Sequence, residues 1–149
     1  MNLYRDRPKG TFNQKANWQE LYILTQHWKK DLEFYKDDLR FLHGLIDKYF
    51  IWITEKENLD SVRKIGTNLL NISDKCKDLL HKISKHILQL GELVENPDKE
   101  QSRIFRLEHE HLEDEIADFV KSYRENRKEV FTITEYVVDN EKLVHLLET

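Results

Sequence analysis

The residues of this sequence most able to do chemistry are histidines and carboxylates spaced three or four positions apart. Glu108 and His111 form a Glu-x-x-His pair, and Glu115 follows His111 by four residues. Asp31 follows His27 by the same interval. Side chains at these spacings lie on one face of a helix. Carboxylates and imidazoles that converge between helices are ligands of iron and zinc in helical bundles.

These pairs would meet a further histidine, His86, if the chain reverses direction near residues 56 and 97. His27, His86, Glu108 and His111 would then share one level of a bundle, with Asp31 and Glu115 one helical turn away. The predicted metal site comprises these six residues. Within this set, Asp31 and Glu115 are the carboxylates available to orient the imidazoles. The opposing hypothesis is that the same residues form ordinary pairs along their own helices, in which case no metal is bound.

Motifs of several common enzyme classes are missing from the sequence. It contains no glycine-rich phosphate loop, no Cys-x-x-Cys pair and no nucleophile elbow. The sequence therefore favours a non-enzymatic protein without a cofactor. A bundle that binds iron or zinc is the alternative function.

The elements that must position these residues begin with a long predicted helix over residues 18 to 53, which is apolar on two opposite sides. The main stripe of this helix comprises Trp18, Leu21, Trp28, Leu32, Tyr35, Leu39, Leu42, Ile46, Phe50 and Ile53. The second stripe comprises Ile23, Phe34, Phe41, Leu45 and Trp52. A helix with two apolar stripes must be covered twice, by its own chain, by a second copy or by a partner.

From the second stripe we expect a protein-binding surface. Its predicted residues are Phe34, Phe41, Leu45 and Trp52. They would join two copies of the chain or receive a helix of a partner protein. The alternative is that a fourth helix of the same chain covers them, which would make them part of the core.

Two further helices are predicted after the first. Apolar residues repeat every seven positions from Leu59 to Val94, and Asn58 is the predicted N-cap of this segment. Asn96 is the predicted N-cap of the third, with Pro97 at the first helical position. The third periodic segment extends to Leu147, but a possible capping box over residues 132–135 indicates a break near residues 127–132. The sequence therefore predicts an all-α protein, an elongated antiparallel bundle of three long helices, or of four if that break occurs.

Three polar residues fall at predicted core positions. His43 lies between apolar residues of the first helix, and Asp47 one turn later is its predicted partner. Ser73 and Asn126 occupy core positions of the second and third segments. Single polar residues at such positions commonly fix the register between helices.

The first residues are predicted to form an arm, residues 1–16, that is either flexible or docked on a single helical domain over residues 17–149. The arm lacks apolar periodicity and contains Pro8 and Gly10. Its charged residues are Arg5, Arg7, Lys9 and Lys15 against Asp6, which leaves three more positive than negative charges. By contrast, residues 95–118 are strongly acidic.

Composition limits the partners and the compartment. The 149 residues carry a formal net charge of −4, which argues against nucleic-acid binding because phosphates require clustered Lys and Arg. No apolar run is long enough to span a bilayer, so no membrane association is predicted. A single Cys76 and the lack of an apolar leader favour the cytoplasm. The expected partner is a protein or a second copy of the chain.

Overall fold

The computed structural model describes residues 16–50 and 56–140, with side chains for residues 16–50 and 58–136. Over these residues the chain forms three helices, α1 (Trp18–Phe50), α2 (Lys56–Glu95) and α3 (Lys99–Asn140), and no strand. The predicted all-α class is confirmed. The predictions made for residues 1–15, Trp52, Ile53 and residues 141–149 lie outside the described part of the chain.

The helix α1 begins at the predicted residue, and a reciprocal pair of hydrogen bonds explains why. The N–H of Glu20 donates to Asn17 Oδ1 at 2.8 Å, and the N–H of Asn17 donates to Glu20 Oε1 at 3.1 Å. This is a capping box, in which two backbone donors at the helix start find side-chain acceptors. Ala16, which the sequence assigned to the arm, is buried.

The predicted cap of α3 at Asn96 is wrong by two residues. Asp98 is the N-cap, because its Oδ1 accepts the N–H groups of Glu100 at 2.9 Å and Gln101 at 3.0 Å. Asn96 instead donates its N–H to the carbonyl of Glu92, which ends α2. Proline disfavours helical backbone at the residue before it, so α3 starts only after Pro97.

Two other sequence predictions about helix ends are corrected. Asn58 is not an N-cap, because it lies inside α2 and is buried there. The break near residues 127–132 is absent, since α3 continues through them as a single helix. The hydroxyl of Thr134 donates to the carbonyl of Val130 at 2.7 Å, which satisfies it within the helix. The threonines near this point therefore do not end the helix.

The core lies between the three helices. From α1 it takes most of the predicted main stripe, and the residues of α1 that are fully or almost fully buried include Leu21, Trp28, Leu32, Leu39, Leu42 and Ile46. The core residues from the other two helices include Val62, Leu69, Leu79, Ile83, Leu112, Ile116, Phe119 and Val130. The main stripe of α1 is thus the side of that helix that packs between α2 and α3.

Two polar contacts join α1 to α2. Between α1 and α2, the thiol of Cys76 donates to the carbonyl of Leu32 at 3.4 Å, and His43 Nε2 lies 3.2 Å from Ser73 Oγ. Ser73, not the predicted Asp47, is the hydrogen-bond partner of His43. Burial raises the pKa of Cys76 to about 11, so this thiol stays protonated and is a core group.

None of the helices, over the residues described, combines the length and apolar character needed to cross a membrane.

The corrected start of α3 yields a test of stability. Replacing the N-cap by Asp98→Ala should lower the free energy of unfolding by about 1 kcal/mol, because two N–H groups lose their acceptor. Urea unfolding followed by circular dichroism measures the change. Asn96→Ala is the matched control and should have a much smaller effect. An equal loss in the two variants would contradict the assignment of the cap.

Candidate protein-binding surface

An exposed aromatic patch lies along the side where α1 meets α3. We define it by Phe34, Phe41 and Leu45 of α1 and Phe131 of α3. Phe34 is 64% exposed and Phe41 is 54% exposed, although both are large apolar side chains. The rings of Phe41 and Phe131 are 6.4 Å apart between centroids. The patch thus contains the three predicted residues that the structure describes.

Two members of the aromatic patch differ from the sequence prediction. Leu45 is half-buried and packs against the core, so it forms the floor of the patch. Phe131 was not predicted, because the expected break near residues 127–132 assigned it to the start of a fourth helix. Phe131 lies beside Phe41 because α3 continues through residues 127–132 as one helix.

A hydrogen-bonded network holds α1 against α3 next to the patch. Asp38 of α1 accepts a hydrogen bond from the Tyr123 hydroxyl and a second from Arg127 Nε at 3.0 Å. The Arg127 guanidinium also lies 4.8 Å from the centre of the Phe131 ring. Burial, together with the Asp38 carboxylate, holds the pKa of Tyr123 far above its usual value, so the phenol remains a donor. The position of Phe131 is therefore tied to α1.

The border of the aromatic patch carries charged side chains from both helices. On the α3 side it carries Arg124 and Arg127. Burial raises the pKa of Tyr35, and the charge of Asp31 adds to this, while the charge of Arg124 opposes it. On the α1 side, helical spacing places the exposed side chains of Lys30, Asp37 and Lys48 beside the phenylalanines.

The residues predicted to bind metal divide into two groups. Four of them, His86, Glu108, His111 and Glu115, line one groove of about 470 Å³ between α2 and α3. His27 is exposed on α1, and Asp31 is half-buried on the side of α1 that faces α3. The predicted site of six residues is therefore not assembled in one place. Over the described residues, no group of three or more His, Cys, Asp or Glu side chains is arranged to hold a metal ion.

Inside this groove Glu115 is bound to basic side chains. Its carboxylate lies 2.9 Å from Lys75 Nζ, 3.1 Å from Lys82 Nζ and 3.2 Å from His111 Nε2. Although burial raises the pKa of Glu115, the hydrogen bonds from the two lysines outweigh it and hold the pKa below its usual value. Glu115 therefore links α2 to α3 as a charged group, and the metal site stays a prediction.

His86 does have an imidazole partner, but it is His109, which the sequence analysis missed. His86 Nε2 lies 2.9 Å from His109 Nδ1, and both side chains are buried. The His86 ring stacks on Phe105 with centroids 4.0 Å apart, and the His109 ring stacks on Trp28 at 4.5 Å. The expected reversal of the chain near residue 97 placed His86 level with Glu108, one residue from the observed partner. The apolar spacing from Phe105 to His109 and on to Leu112 was the signal that could have identified it.

The buried histidine pair predicts a pH dependence of stability. Burial lowers the pKa of His86 to about 4, from an unfolded value of 6.5. The contribution of neutral His86 to the free energy of unfolding is complete above about pH 6.5. It is lost as the pH falls toward 4, because His86 binds a proton more tightly in the unfolded chain than in the folded one. Between pH 7 and pH 5 the loss should be about 2 kcal/mol. Urea unfolding at both pH values measures this loss. It should be smaller in His86→Phe than in the unmodified protein, and it should be unchanged in the control His81→Phe, which alters an exposed position. An unchanged loss in His86→Phe would contradict this assignment.

The Asp38 network makes a second prediction. Tyr123→Phe removes only the hydroxyl that donates to Asp38, and should lower the free energy of unfolding by about 2 kcal/mol because the acceptor is charged. Tyr22→Phe, at an exposed position on α1, is the matched control and should change stability little. Urea unfolding measures both. If the two variants were equally stable, the hydroxyl would not hold α1 to α3.

The chain was also compared with known proteins. No protein-family model, no curated protein and no solved structure matches it. The fold and the surfaces described above, together with their charges, are therefore the basis for its proposed function.

Proposed function

We propose that this chain is a non-enzymatic helical interaction module whose aromatic patch binds an apolar helix of a partner protein. We take its form to be an elongated bundle in which consecutive helices are antiparallel. The opposite chain order of the contacts between α1 and α2 supports this arrangement, as do the contacts between α2 and α3. In the latter pair, His86 meets His109 while Ile65 accepts a hydrogen bond from Asn126 at 3.4 Å.

The observation that carries the proposal is the exposure of Phe34 and Phe41 on the side of α1 next to α3. Burying a phenylalanine fully is worth about 1.5 to 3 kcal/mol relative to leaving it in water. Two such residues one heptad apart, with Phe131 beside them, form an apolar strip parallel to the helices. A partner helix that covered the strip would recover this free energy.

The patch is also held in place before binding. Asp38 joins α1 to α3 through Tyr123 and Arg127, and Arg127 in turn lies over Phe131. A surface whose side chains are already ordered loses less conformational entropy on binding. This supports a docking role over a chance exposure of phenylalanines.

Charge and shape indicate the kind of partner. The spacing of seven residues between Phe34 and Phe41 matches the repeat of a helix that packs lengthwise. Arg124, Lys30 and Lys48 place positive charges at the border, so a helix with apolar residues on one face and carboxylates along its edges can pair with them. A second copy of the chain is the other occupant that the experiment must distinguish.

The metal-binding alternative is not part of this proposal. Four of its residues do line one groove, but Glu115 is engaged by Lys75 and Lys82 and His86 by His109. An iron or zinc ion in this groove would have to displace those partners. Metal binding remains a prediction from the sequence alone.

A designed helix tests the proposal. The probe is a synthetic amphipathic helix with leucines along one face and glutamates along its edges, labelled for fluorescence anisotropy. We expect it to bind the full chain, and we expect the double variant Phe34→Ala with Phe41→Ala to bind at least tenfold more weakly because two anchors are lost. A probe with lysines at the edges should bind more weakly than the glutamate probe.

The control and the contradicting outcomes follow from the same assay. Leu70→Ala with Leu88→Ala removes two apolar side chains of α2 that are also exposed but lie outside the patch, and it should leave binding unchanged. Equal binding by the patch variant, or no binding of the glutamate probe, would contradict the proposal. Light scattering on each protein identifies self-association. A dimer that the patch variant abolishes would assign the aromatic patch to a second copy.

A further inference from the structure

A groove between α1 and α2 is lined by basic side chains from both helices. Its volume is about 430 Å³, and Lys36 and Arg40 of α1 line it together with Lys77 of α2. Lys36 and Arg40 are four residues apart and therefore lie on one face of α1. Among the residues that the structure describes, none of the three forms an ion pair. We call this feature the basic groove.

Two half-buried polar side chains also line the basic groove, where α1 meets α2. His43 Nε2 lies 3.2 Å from Ser73 Oγ, and neither side chain has a second hydrogen bond within the described part of the chain. One hydrogen joins this pair, so one polar hydrogen is left over. It is the hydroxyl hydrogen of Ser73 when Nε2 donates, and the Nδ1 hydrogen of His43 when the hydroxyl donates. In either case the pair keeps a donor that an anion in the groove can use.

Two carboxylates line the same groove but do not neutralise it. Asp47 follows Lys36 by eleven residues, which is about 16 Å along the helix axis, so it lies far from that lysine. Asp74 precedes Lys77 by three residues, yet no ion pair joins them. The three basic side chains exceed the two carboxylates by one positive charge, before any proton on His43.

The groove between α2 and α3 shows what the basic groove lacks. There Lys75 and Lys82 lie 2.9 Å and 3.1 Å from the carboxylate of Glu115, which pairs with both of them. In the basic groove, over the described residues, no carboxylate has the position of Glu115. An anion from outside the chain can therefore take that position.

The donors of the basic groove suit a phosphate group better than a carboxylate. Arg40 offers a planar fork of N–H groups, the two lysines offer ammonium groups, and the His43–Ser73 pair offers a further donor. A phosphate monoester presents three terminal oxygens and carries nearly two negative charges at neutral pH. It can thus accept hydrogen bonds from both helices at once, whereas a carboxylate has only two oxygens.

The remaining wall of the basic groove is apolar. Leu39 and Leu70 line it, and Leu70 is 57% exposed. The groove is larger than one phosphate group needs, and its volume falls in the range of sites that bind small molecules. An apolar group attached to the phosphate would cover Leu70 from water, which is favourable.

We propose that the basic groove binds a small organic phosphate. The three basic side chains hold its phosphate group beside the His43–Ser73 pair, and its apolar part covers Leu70. This inference is independent of the proposed function, because it concerns the α1–α2 side and needs no partner protein.

Nuclear magnetic resonance of the isotope-labelled full chain tests the site, with phenyl phosphate and inorganic phosphate as the probes. We expect saturable shifts of the backbone amide signals of Arg40, His43, Ser73 and Lys77. Phenyl phosphate should bind several-fold more tightly than inorganic phosphate, because only its ring can cover Leu70.

Matched variants test the charges. Arg40→Gln with Lys77→Gln should bind phenyl phosphate at least tenfold more weakly, because two charge-assisted hydrogen bonds are lost. Arg63→Gln with Lys64→Gln makes the same change of net charge at exposed positions of α2 outside the groove, and should leave binding unchanged. Ser73→Ala should weaken binding several-fold, and circular dichroism confirms that each variant is folded.

Four outcomes would overturn the proposal. The first is no saturable shift with either probe, and the second is shifts confined to residues outside the basic groove. The third is an equal loss of affinity in the two double variants, since the overall charge of the protein would then explain binding. Equal affinity for phenyl phosphate and inorganic phosphate is the fourth, because it would exclude a contact of the organic group with Leu70.

Discussion

The burial of the main stripe of α1 between α2 and α3 is the constraint on which the other features of this protein depend. Trp28, Leu32, Leu39 and Leu42 are buried together there. Because a helix is rigid, placing this stripe in the core fixes the direction of every other α1 side chain. Phe34 and Phe41 are thereby turned outward beside α3, and Asp38 is brought within reach of its two α3 partners. The aromatic patch follows from the packing of the opposite side of the same helix.

Polar groups within the bundle determine which residues of the three helices lie opposite one another. Apolar side chains tolerate a shift along the helix axis, whereas hydrogen-bonded groups lose a partner if the register changes. His43 bonds to Ser73 across α1 and α2, and His86 bonds to His109 across α2 and α3. These pairs make one alignment of the helices more stable than its neighbours. His43, His86 and His109 thus make contacts within the bundle.

The surface of the bundle is divided by charge as well as by polarity. The α1–α3 side carries the exposed aromatic side chains of Phe34 and Phe41. On the α2–α3 side, Glu115 is surrounded by cations from α2. The first arrangement leaves apolar side chains in contact with water, whereas the second joins two helices of the same chain.

The sequence by itself determined the all-α class, the start of α1 and the buried stripe of α1, because apolar spacing and capping residues act over a few neighbouring positions. It also indicated that Phe34 and Phe41 form a second apolar surface. It placed the cap of α3 at Asn96 instead of Asp98 and expected a break that α3 does not contain, since a local capping pattern cannot show that packing keeps a helix continuous. Only the tertiary structure decided which side chains meet across helices. A shift of one residue replaces His109 by Glu108 as the neighbour of His86, and sequence periodicity does not resolve helix register to one residue.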